Sequence, residues 1–392
     1  MDYVRVGIIG FGNIGSMHAD NIFNNKVKGM KLTAICDERE IRLDVCKDRY
    51  KEILCYQNHI ELIHSGNVDA VVIAVPHRFH AQIAMDALKA GINVLVEKPI
   101  DVTVTEAQKL IEVAKKTNQI FAIMFNQRTN ALFQKARDIV QSGKLGELKR
   151  SVWIITNWYR TQQYYDSGSW RATWSGEGGG VLLNQAPHNL DLWQWICGMP
   201  KSVRAFCNVA KYHRIEVEDD ATIYAQYENG ATGVFITSTG EYPGTNRLEI
   251  TGDKGKIVLE NSTLKWWELE MSERDFCFTS DKSTPKIDCN YQEFTVTEKE
   301  SAHIGILQNF TNAILNGEKL ISPGEDGIHE LMLSNAAYLS EWTGNQEVIL
   351  PVDGKKFDSL LKEKCVHSLL SKDGEETNDS AGESMARWQV RW

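Results

Sequence analysis

The sequence lacks three features, and each absence excludes a class of function. Its eight cysteines include no Cys-x-x-Cys pair, so neither a zinc site nor a redox dithiol is indicated and we predict no metal. No apolar run reaches the roughly 18–20 residues of a membrane span, and no secretory signal precedes the first strand-like run. The net charge of −9 argues against binding to nucleic acid or anionic membranes. We therefore expect a cytoplasmic protein with neither nucleic acid nor membrane as a partner.

The first 125 residues alternate β-branched runs with helical patterns. Thr103 and Glu106 form a capping box ahead of one such helix, and Gly91 stands in the helix-stop position of another. Strands are predicted at 4–9, 32–36, 70–75, 93–96 and 121–125. Strands that alternate with helices indicate right-handed crossovers and a parallel sheet. Residues 1–125 are therefore predicted to form a doubly wound α/β domain that binds NAD(P).

The pattern changes after Gly146. Long runs are separated by turn signals at 229–230, 252–255 and 261–262, which indicate antiparallel hairpins. Helices are predicted at 185–197, 302–315 and 325–341, followed by a strand at 347–350. We expect an α+β domain at 126–355, with a large open antiparallel sheet flanked by helices. Residues 356–392 are expected to form a partly flexible extension, because 371–385 are polar and acidic.

A glycine fingerprint joins the first strand to the first helix. Gly10 permits a tight turn, Gly12 lets the backbone approach a pyrophosphate, and Gly15 allows close packing of helix on strand. The N–H groups and positive dipole at the helix N-terminus then favour phosphates. The expected contacts are Gly10, Phe11, Gly12, Asn13, Ile14 and Gly15.

Asp37 follows the predicted second strand, 22 residues after Gly15. An acid at this position accepts hydrogen bonds from the ribose hydroxyls of NAD and repels a 2′-phosphate. Arg39 can accommodate such a phosphate, which leaves NADP open as the less favoured cofactor. We therefore predict NAD.

Glu97, Lys98 and Pro99 follow the strand at 93–96. Ligands gather at the carboxyl ends of strands in an open α/β sheet, which places Lys98 near the nicotinamide. Its side chain can hydrogen-bond a substrate hydroxyl and stabilise the alkoxide that forms as a hydride leaves. The alternative from position alone is a surface lysine before a proline turn.

A second candidate segment runs from Gly178 to Asp191. Asn184 and His188 are four residues apart, and Pro187 fits only the first turn of a helix. His188 would then stand at the start of that helix, where it can act as a general base. The alternative is a structural histidine with satisfied hydrogen bonds.

Taken together, the glycine fingerprint, the Glu-Lys-Pro sequence and the Gly-Gly-Gly…Asn-x-x-x-His-x-x-Asp segment resemble the Gfo/Idh/MocA oxidoreductases. So do His77-x-x-His80, Asn126-Gln127-Arg128 and the sequence at 339–344. The resemblance implies NAD(P)-dependent oxidation of a secondary hydroxyl on a sugar or cyclitol. It also implies a second domain whose sheet supports a homo-oligomer. It adds Pro76, His77, His80, Glu97, Lys98 and Gln127 to the expected cofactor contacts.

By this resemblance Lys98 and His188 carry the proton chemistry. Many family members have aspartate where this chain has Asn184. Asparagine cannot ionise, so here it can only orient the substrate, which concentrates the role of base on His188 with Lys98 assisting.

Aromatic and polar side chains crowd the residues ahead of Gly178. Sugars present C–H faces that pack on aromatic rings and hydroxyls that need donors such as arginine. This mixture favours a glycoside as substrate, and the segment resembles that of bacterial members that oxidise C3 of a glucosyl unit. The expected substrate contacts are Arg160, Tyr164, Trp170, Arg171, Trp174, Asn184 and His188.

Several functions remain open at this point. The first is a sugar or glycoside 3-dehydrogenase, which in some members begins C-glycoside cleavage. The others are an inositol dehydrogenase, a glycosidase that uses NAD only transiently, and a non-catalytic NAD sensor. Accumulation of NADH separates the dehydrogenases from the glycosidase, which releases sugar without net NADH.

Overall fold

The computed structural model describes residues 2–296 and 301–368. The acidic segment at 371–385, which we expected to be flexible, lies outside these residues. The N-terminal part alternates strands and helices in the order β1 (Val4–Ile9), α1 (Asn13–Phe23), β2 (Met30–Cys36), α2 (Glu40–Arg49), β3 (Leu54–Tyr56), α3 (His59–His64), β4 (Ala70–Ile73), α4 (His80–Lys89), β5 (Asn93–Val96), α5 (Val104–Ala114) and β6 (Phe121–Ile123).

In the described residues, the N-terminal strands form a six-stranded sheet in the order β3-β2-β1-β4-β5-β6. All its pairings are parallel, which confirms the predicted doubly wound sheet. All four residues of β4 are buried, as expected for a strand covered by helices on both faces. Strand order reverses between β1 and β4, so a crevice for ligand opens at their carboxyl ends. We call this the cofactor sheet.

Local signals account for several boundaries in this part. Thr103 caps α5, and its hydroxyl accepts a hydrogen bond from the Glu106 N–H at 3.3 Å. Strands β4 and β6 each end two residues before the predicted limit. Strand β3 was not predicted, because its three residues at the sheet edge are too few for a periodic pattern.

The rest of the chain contains α6 (Ala131–Gln141), β7 (Leu148–Ile155), α7 (Gln162–Asp166), α8 (Pro187–Cys197), β8 (Ser202–Val209), β9 (Glu218–Gln226), β10 (Thr232–Ser238), β11 (Asn246–Gly252), β12 (Gly255–Glu260), β13 (Thr263–Leu269), α9 (Glu273–Thr279), β14 (Cys289–Thr295), α10 (Ala302–Asn316), α11 (Gly327–Trp342), β15 (Val348–Ile349) and α12 (Gly354–Val366). Helices α6, α7, α9 and α12 were not predicted.

These strands form a second sheet of nine strands in the described residues, in the order β14-β13-β12-β11-β7-β10-β9-β8-β15. The three predicted hairpins are present as β9–β10, β11–β12 and β12–β13. The sheet is not wholly antiparallel, because β7 and β10 run parallel. The chain leaves β7 through a long connection that contains α8, and such a crossover lets it return in the same direction.

One face of the second sheet is covered by helices α8 and α11. Trp153 of β7 and Phe235 of β10 are fully buried on this face, and Trp193 of α8 packs against Phe235 with ring centroids 5.5 Å apart. The Trp193 indole donates a hydrogen bond to the Ser151 hydroxyl at 2.9 Å. This packing holds α8 against the sheet. His188 is the second residue of this helix.

Two helices do not follow the predicted division of the chain: one packs on the other part, and one extends past a predicted boundary. Helix α10 belongs to the second part by sequence, yet its Phe310 lies in the same core cluster as Val6 of β1. Helix α12 spans residue 355, and its buried Phe357 stacks on Trp342 of α11. The two parts of the chain therefore share core packing. None of the helices in the described residues is long and apolar enough to cross a bilayer.

Candidate active site

The glycine turn packs closely against the start of α1. Gly10 has a φ of +91°, and a Cβ at this position would lie 2.4 Å from the Ala74 carbonyl oxygen. A Cβ at Gly15 would lie 1.9 Å from the carbonyl oxygen of Gly10. Neither position accepts a side chain, so the two glycines bring helix and strand as close as the fingerprint requires.

Gly12 has a different environment from its two neighbouring glycines. It stands at the N-cap of α1, and a Cβ added there would meet nothing within 4 Å. Asn13 is exposed and Ile14 half-buried, and the N–H groups of the first helical turn have no intrahelical acceptor. Open space over a helix N-terminus fits a pyrophosphate, so the turn can hold a dinucleotide.

Asp37 contacts both the glycine turn and Arg39. One carboxylate oxygen accepts a hydrogen bond from the Phe11 N–H at 2.9 Å. The other accepts from the Arg39 N–H at 3.0 Å and from its Nε at 3.3 Å. The buried acid thus fixes the turn and holds the arginine beside it, at the carboxyl end of β2.

The other predicted cofactor contacts also follow strands of the cofactor sheet. Pro76 is exposed beyond the end of β4, and the next residue, His77, is buried. Gln127 follows β6 and is 5 % exposed, and within the described part of the chain its Oε1 has no hydrogen-bond partner. These residues line the carboxyl edge of the sheet.

His80 makes structural contacts with the backbone. Its Nδ1 lies 2.7 Å from the Pro99 carbonyl oxygen and its Nε2 lies 2.8 Å from that of Val75. A carbonyl oxygen only accepts, so a neutral ring donates to one of these two oxygens at a time. These contacts tie the segment after β4 to the Glu-Lys-Pro sequence, and a cofactor contact of His80 stays a prediction.

Glu97 makes a buried contact with His18 that the sequence analysis did not predict. Its Oε1 lies 2.8 Å from Nε2 of His18 in α1. Burial tends to raise the pKa of Glu97, but the His18 contact outweighs it, and the pKa falls to about 2. The His303 ring lies 5.7 Å from that of His18. Helices α1 and α10 and the end of β5 therefore meet next to Lys98.

Lys98 reaches from the cofactor sheet to the second part of the chain. Its Nζ donates a hydrogen bond to the Asn184 carbonyl oxygen at 2.8 Å. Burial lowers the pKa of Lys98 below its ordinary value, opposed by the nearby Glu97 carboxylate. The amine is therefore easier to deprotonate than a surface lysine and is held beside the loop that leads into α8.

His188 is the second residue of α8, directly after Pro187 in the first turn, as predicted. It is 7 % exposed, and its Nδ1 has no hydrogen-bond partner in the described residues. Burial lowers its pKa well below the ordinary value, and the charge of Lys98 acts in the same direction. His188 is therefore neutral at pH 7 and able to accept a proton.

A buried ion pair holds helix α8 against the segment that directly follows β6 of the cofactor sheet. Arg128 donates two hydrogen bonds to Asp191, at 2.8 and 2.6 Å, and a third to Asp326 at 2.6 Å. Arg128 and Asp191 are each no more than 1 % exposed. Asp191, one turn after His188, thus orients the helix that carries the candidate base.

Glu177 is the main site residue absent from the sequence prediction. It is 2 % exposed, its Oε1 accepts a hydrogen bond from the Asn184 side-chain amide, and its Oε2 accepts one from the Ala172 N–H at 2.7 Å. Burial raises its pKa, while the Arg171 charge opposes the shift. A carboxyl group therefore lies beside Asn184, at the position where many members carry an aspartate.

Tyr164 is the centre of the predicted substrate segment. Its hydroxyl lies within hydrogen-bond distance of Arg171 Nη1 at 3.1 Å, Gln185 Nε2 at 3.1 Å and Asn184 Nδ2 at 3.4 Å. The Arg160 and Arg171 guanidinium groups lie 5.0 and 4.8 Å from its ring centroid. We call Arg160, Tyr164, Trp170 and Arg171 the substrate wall.

Trp170 and Trp174 have different surroundings. Trp170 is half-buried, and its ring lies edge-on to His77 at 6.0 Å, next to the end of β4. Trp174 is 6 % exposed and packs against Tyr338 and Trp342 of α11, with centroids 5.5 and 5.4 Å away. Trp174 thus lies in an aromatic core cluster, and we do not include it in the substrate wall.

The described residues contain no group of three or more histidine, cysteine, aspartate or glutamate side chains that could hold a metal ion. The site contains two groups that can donate or accept a proton, Lys98 and His188. Asn184 contacts Lys98 through its carbonyl and Tyr164 of the substrate wall through its side-chain amide. Such a set can remove a proton from an alcohol and stabilise the charge left on its oxygen.

Two relatives with known names match nearly the whole chain. This chain is 28% identical over 339 residues to myo-inositol 2-dehydrogenase of Thermotoga maritima, and the match covers 85% of this chain and 95% of that protein. It is 25% identical over 366 residues to D-glucoside 3-dehydrogenase of Escherichia coli, covering 88% and 97%.

The fold also matches solved structures. The WlbA dehydrogenase from Bordetella pertussis, in complex with NADH and UDP-GlcNAcA, has a TM-score of 0.74 at 25% sequence identity, covering 90% of this chain and 100% of that one. The model of the oxidoreductase family with an NAD-binding Rossmann fold matches residues 4–125. The model of the GFO/IDH/MocA C-terminal domain matches residues 133–258. The chain therefore belongs to the GFO/IDH/MocA oxidoreductase family and is an NAD-dependent enzyme of the sugar-dehydrogenase type.

Proposed function

We propose that this enzyme oxidises a secondary ring hydroxyl, at C3, of a sugar or glycoside to a ketone. The observation that carries the proposal is the position of a buried His188 in the first turn of α8, after the loop whose Asn184 carbonyl accepts a hydrogen bond from Lys98; its Nδ1 has no hydrogen-bond partner in the described residues. The similarity to D-glucoside 3-dehydrogenase supports the choice of C3.

His188 accepts the proton of the substrate hydroxyl, and the N–H of Lys98 donates a hydrogen bond to the oxygen as negative charge grows on it. Bound NAD would supply the hydride acceptor for the carbon that is oxidised. The residues that would hold it are the turn from Gly10 to Gly15, Asp37 and the carboxyl edge of the cofactor sheet.

Asn184 orients the substrate. Because its Nδ2 donates to Glu177 and faces the Tyr164 hydroxyl, its Oδ1 remains to accept a hydrogen bond from a second sugar hydroxyl. Arg160 and Arg171 supply donors, and the rings of Tyr164 and Trp170 supply flat surfaces for C–H groups. A vicinal diol fits this arrangement of donors and acceptors.

Oxidation at C3 also makes a later elimination reaction possible. A C3 ketone acidifies the neighbouring C–H, so that a later reaction can eliminate a substituent from the sugar. We propose cleavage of a C-glycoside as one outcome of that sequence, with this enzyme performing the first oxidation.

An inositol dehydrogenase is the second candidate, and the 28% identity to the myo-inositol enzyme favours it. A cyclitol presents the same secondary hydroxyls to His188 and Lys98. It carries no anomeric substituent, so it would use the substrate wall less fully than a glycoside.

A substrate panel tests these alternatives. Glucose, methyl and aryl glucosides, a C-glucoside and myo-inositol are each incubated with enzyme and NAD, NADH is followed by absorbance, and NMR identifies the oxidised carbon. NADH with a 3-keto glucoside supports the proposal, and turnover of inositol alone supports the second candidate. Release of free sugar without net NADH would instead indicate a glycosidase that uses NAD transiently.

We also propose that the chain assembles as a homo-oligomer through the open face of the second sheet. This face carries exposed or half-buried apolar side chains, among them Phe206 at 52 %, Tyr224 at 39 % and the half-buried Ile154. Exposed apolar side chains on an open sheet face are a common basis of a subunit contact. Light scattering coupled to gel filtration measures the mass, and a monomer would refute the assembly.

A further inference from the structure

Three exposed tyrosines lie beyond the substrate wall. Tyr159, Tyr212 and Tyr242 are 44 %, 46 % and 78 % exposed. The rings of Tyr159 and Tyr242 are 5.6 Å apart at an interplanar angle of 60°. The Tyr212 ring lies over the backbone of Gly240, where an added Cβ would be 2.2 Å from the nearest ring atom. We call these three residues the tyrosine platform.

The topology of the second sheet brings the platform together. Tyr159 follows β7, Tyr242 follows β10, and Tyr212 lies in the loop between β8 and β9. Because β7 and β10 run parallel and β9 runs antiparallel to β10, all three loops share one end of the sheet. The substrate wall begins at the same end, one residue after Tyr159.

Arg160 connects the platform to the wall through its backbone. Its N–H donates to the Thr239 carbonyl at 2.9 Å, and its own carbonyl lies 2.9 Å from Nε2 of His213. The other nitrogen of His213 lies 2.8 Å from the carboxylate of Asp219, which is fully buried. Arg160 is thus held between two loops that carry platform tyrosines.

The side-chain contacts continue inward to the candidate catalytic residues. Arg160 Nη1 donates to the Tyr159 carbonyl at 3.0 Å, and its guanidinium lies over the Tyr164 ring. Tyr164 contacts the Asn184 amide, and Lys98 contacts the Asn184 carbonyl. The surface therefore changes from hydrogen-bonding groups near Lys98 to flat aromatic rings at the solvent edge.

We propose that the tyrosine platform binds the aromatic aglycone of a glycoside whose sugar ring lies against the substrate wall. The inference rests on the proposed function and specifies its substrate class. Sugar hydroxyls need the donors of the wall, whereas an aromatic aglycone gains most from stacking on exposed rings.

The size of the platform favours a small ligand over a protein. At their exposed fractions the three side chains offer roughly 300–400 Å². A stable protein interface buries about 800 Å² on each partner. A single aromatic ring system, in contrast, is covered by two or three tyrosines.

The test compares two glycosides that differ only in the aglycone. Phenyl and methyl β-D-glucopyranoside are assayed with wild type, Tyr242→Ala, Tyr242→Phe and Tyr159→Ala. Tyr291→Ala is the control, because Tyr291 is 46 % exposed but lies on β14, the far edge of the sheet. In wild type we expect kcat/KM to favour the phenyl glucoside by about 3- to 10-fold, the range of one aromatic contact.

Tyr242→Ala and Tyr159→Ala should each reduce this preference while kcat/KM for the methyl glucoside stays unchanged, and Tyr242→Phe and Tyr291→Ala should retain it. Equal losses for both glycosides, or no loss for either, would overturn the proposal. So would a change in oligomeric mass of Tyr242→Ala, because it would assign the tyrosine to a subunit contact.

A binding measurement separates this inference from the proposed function. Calorimetry records the affinity of each glucoside for the NADH-loaded enzyme, with no turnover required. If neither glucoside is oxidised, a preference for the phenyl compound that Tyr242→Ala removes still supports the platform. Equal affinity for the two compounds in wild type overturns it, whatever the outcome of the activity assay.

Discussion

The side-chain amide of Asn184 donates a hydrogen bond to the carboxylate of Glu177, a residue seven positions earlier in the chain. Glu177 is itself held by the Ala172 N–H, so its position does not depend on a ligand. The pair places a carboxylate and a fixed amide together where a single aspartate stands in many family members. Glu177 is thus a positioning residue for Asn184.

Glu177→Ala should lower kcat by about 10- to 100-fold, because a substrate misplaced by about 1 Å loses rate on that scale. KM for NAD should not change. Glu177→Gln keeps an acceptor oxygen and should recover much of the loss, a rescue that a purely structural role would not give. Glu228→Gln, at a carboxylate 79 % exposed, is the control. Normal kcat in Glu177→Ala would contradict the role.

His188→Ala should reduce turnover by about 10²- to 10⁴-fold, the range of a general base. NAD affinity, measured by fluorescence titration, should stay near that of wild type, since the glycine turn is unaltered. The exposed His64, replaced by alanine, provides the control. Retained turnover in His188→Ala would exclude the histidine as base.

Asp37→Ala should weaken NAD binding by about 10-fold or more, because it removes a charged acceptor close to the turn. The ratio of NADP to NAD affinity should rise, since Arg39 loses its contact with Asp37 and the Asp37 carboxylate no longer repels a 2′-phosphate. The neighbouring Glu38 is exposed, and Glu38→Ala is the matched control. An unchanged ratio would show that Asp37 does not read the ribose.

Arg128→Ala should destabilise the fold by about 3–5 kcal/mol, because it leaves the carboxylate of Asp191 buried without its partner. The exposed pair of Lys47 and Asp44 gives the comparison, where Lys47→Ala should cost less than about 1 kcal/mol. Denaturant unfolding measures both. Equal costs would mean that water replaces the partner of Asp191.

His303 predicts a specific dependence of stability on pH. Burial lowers its pKa from 6.5 to about 4, opposed by Glu97 and assisted by the charges of His18 and Lys98. The unfolded chain therefore binds more protons between these values, and stability falls as pH falls through the window. By pH 5 the loss from this residue is about 2 kcal/mol.

The measurement compares wild type with His303→Gln at pH 7.5 and pH 5. The difference between the two proteins is needed because burial raises the pKa of Glu218 to about 7, which acts in the opposite direction. Wild type should lose more unfolding free energy than the variant on acidification. Parallel losses would refute the assignment.

Features set by neighbouring residues could be predicted from the sequence, whereas contacts between distant segments could not. The glycine fingerprint and the position of Pro187 are local, and each specifies its conformation through neighbours within a few residues. Glu177 lacks such a signal. Its role depends on a turn that brings Asn184 next to it. A single carboxylate ahead of three glycines forms no recognisable sequence pattern.

The same reason explains some of the differences in the fold, but not the missed helix α6. Helix α6 had a readable apolar face in Leu132, Ala136 and Ile139, spaced by four and three residues, and it could have been predicted. The parallel pairing of β7 with β10 could not, because the two strands are separated along the chain by α8, β8 and β9. His80 has the same limit, since its two partners are backbone atoms on separate segments.

The contacts of Arg128 join segments that lie far apart in the chain. They fasten the helix bearing His188 to the segment that follows β6 and to Asp326. Trp158, in the loop that leads to Arg160, donates a hydrogen bond to Asn189 of the same helix at 3.1 Å. The candidate base is therefore held from two sides, by the end of the cofactor sheet and by the loop of the substrate wall, so a change in that loop is expected to alter the position of the base as well as the fit of the substrate.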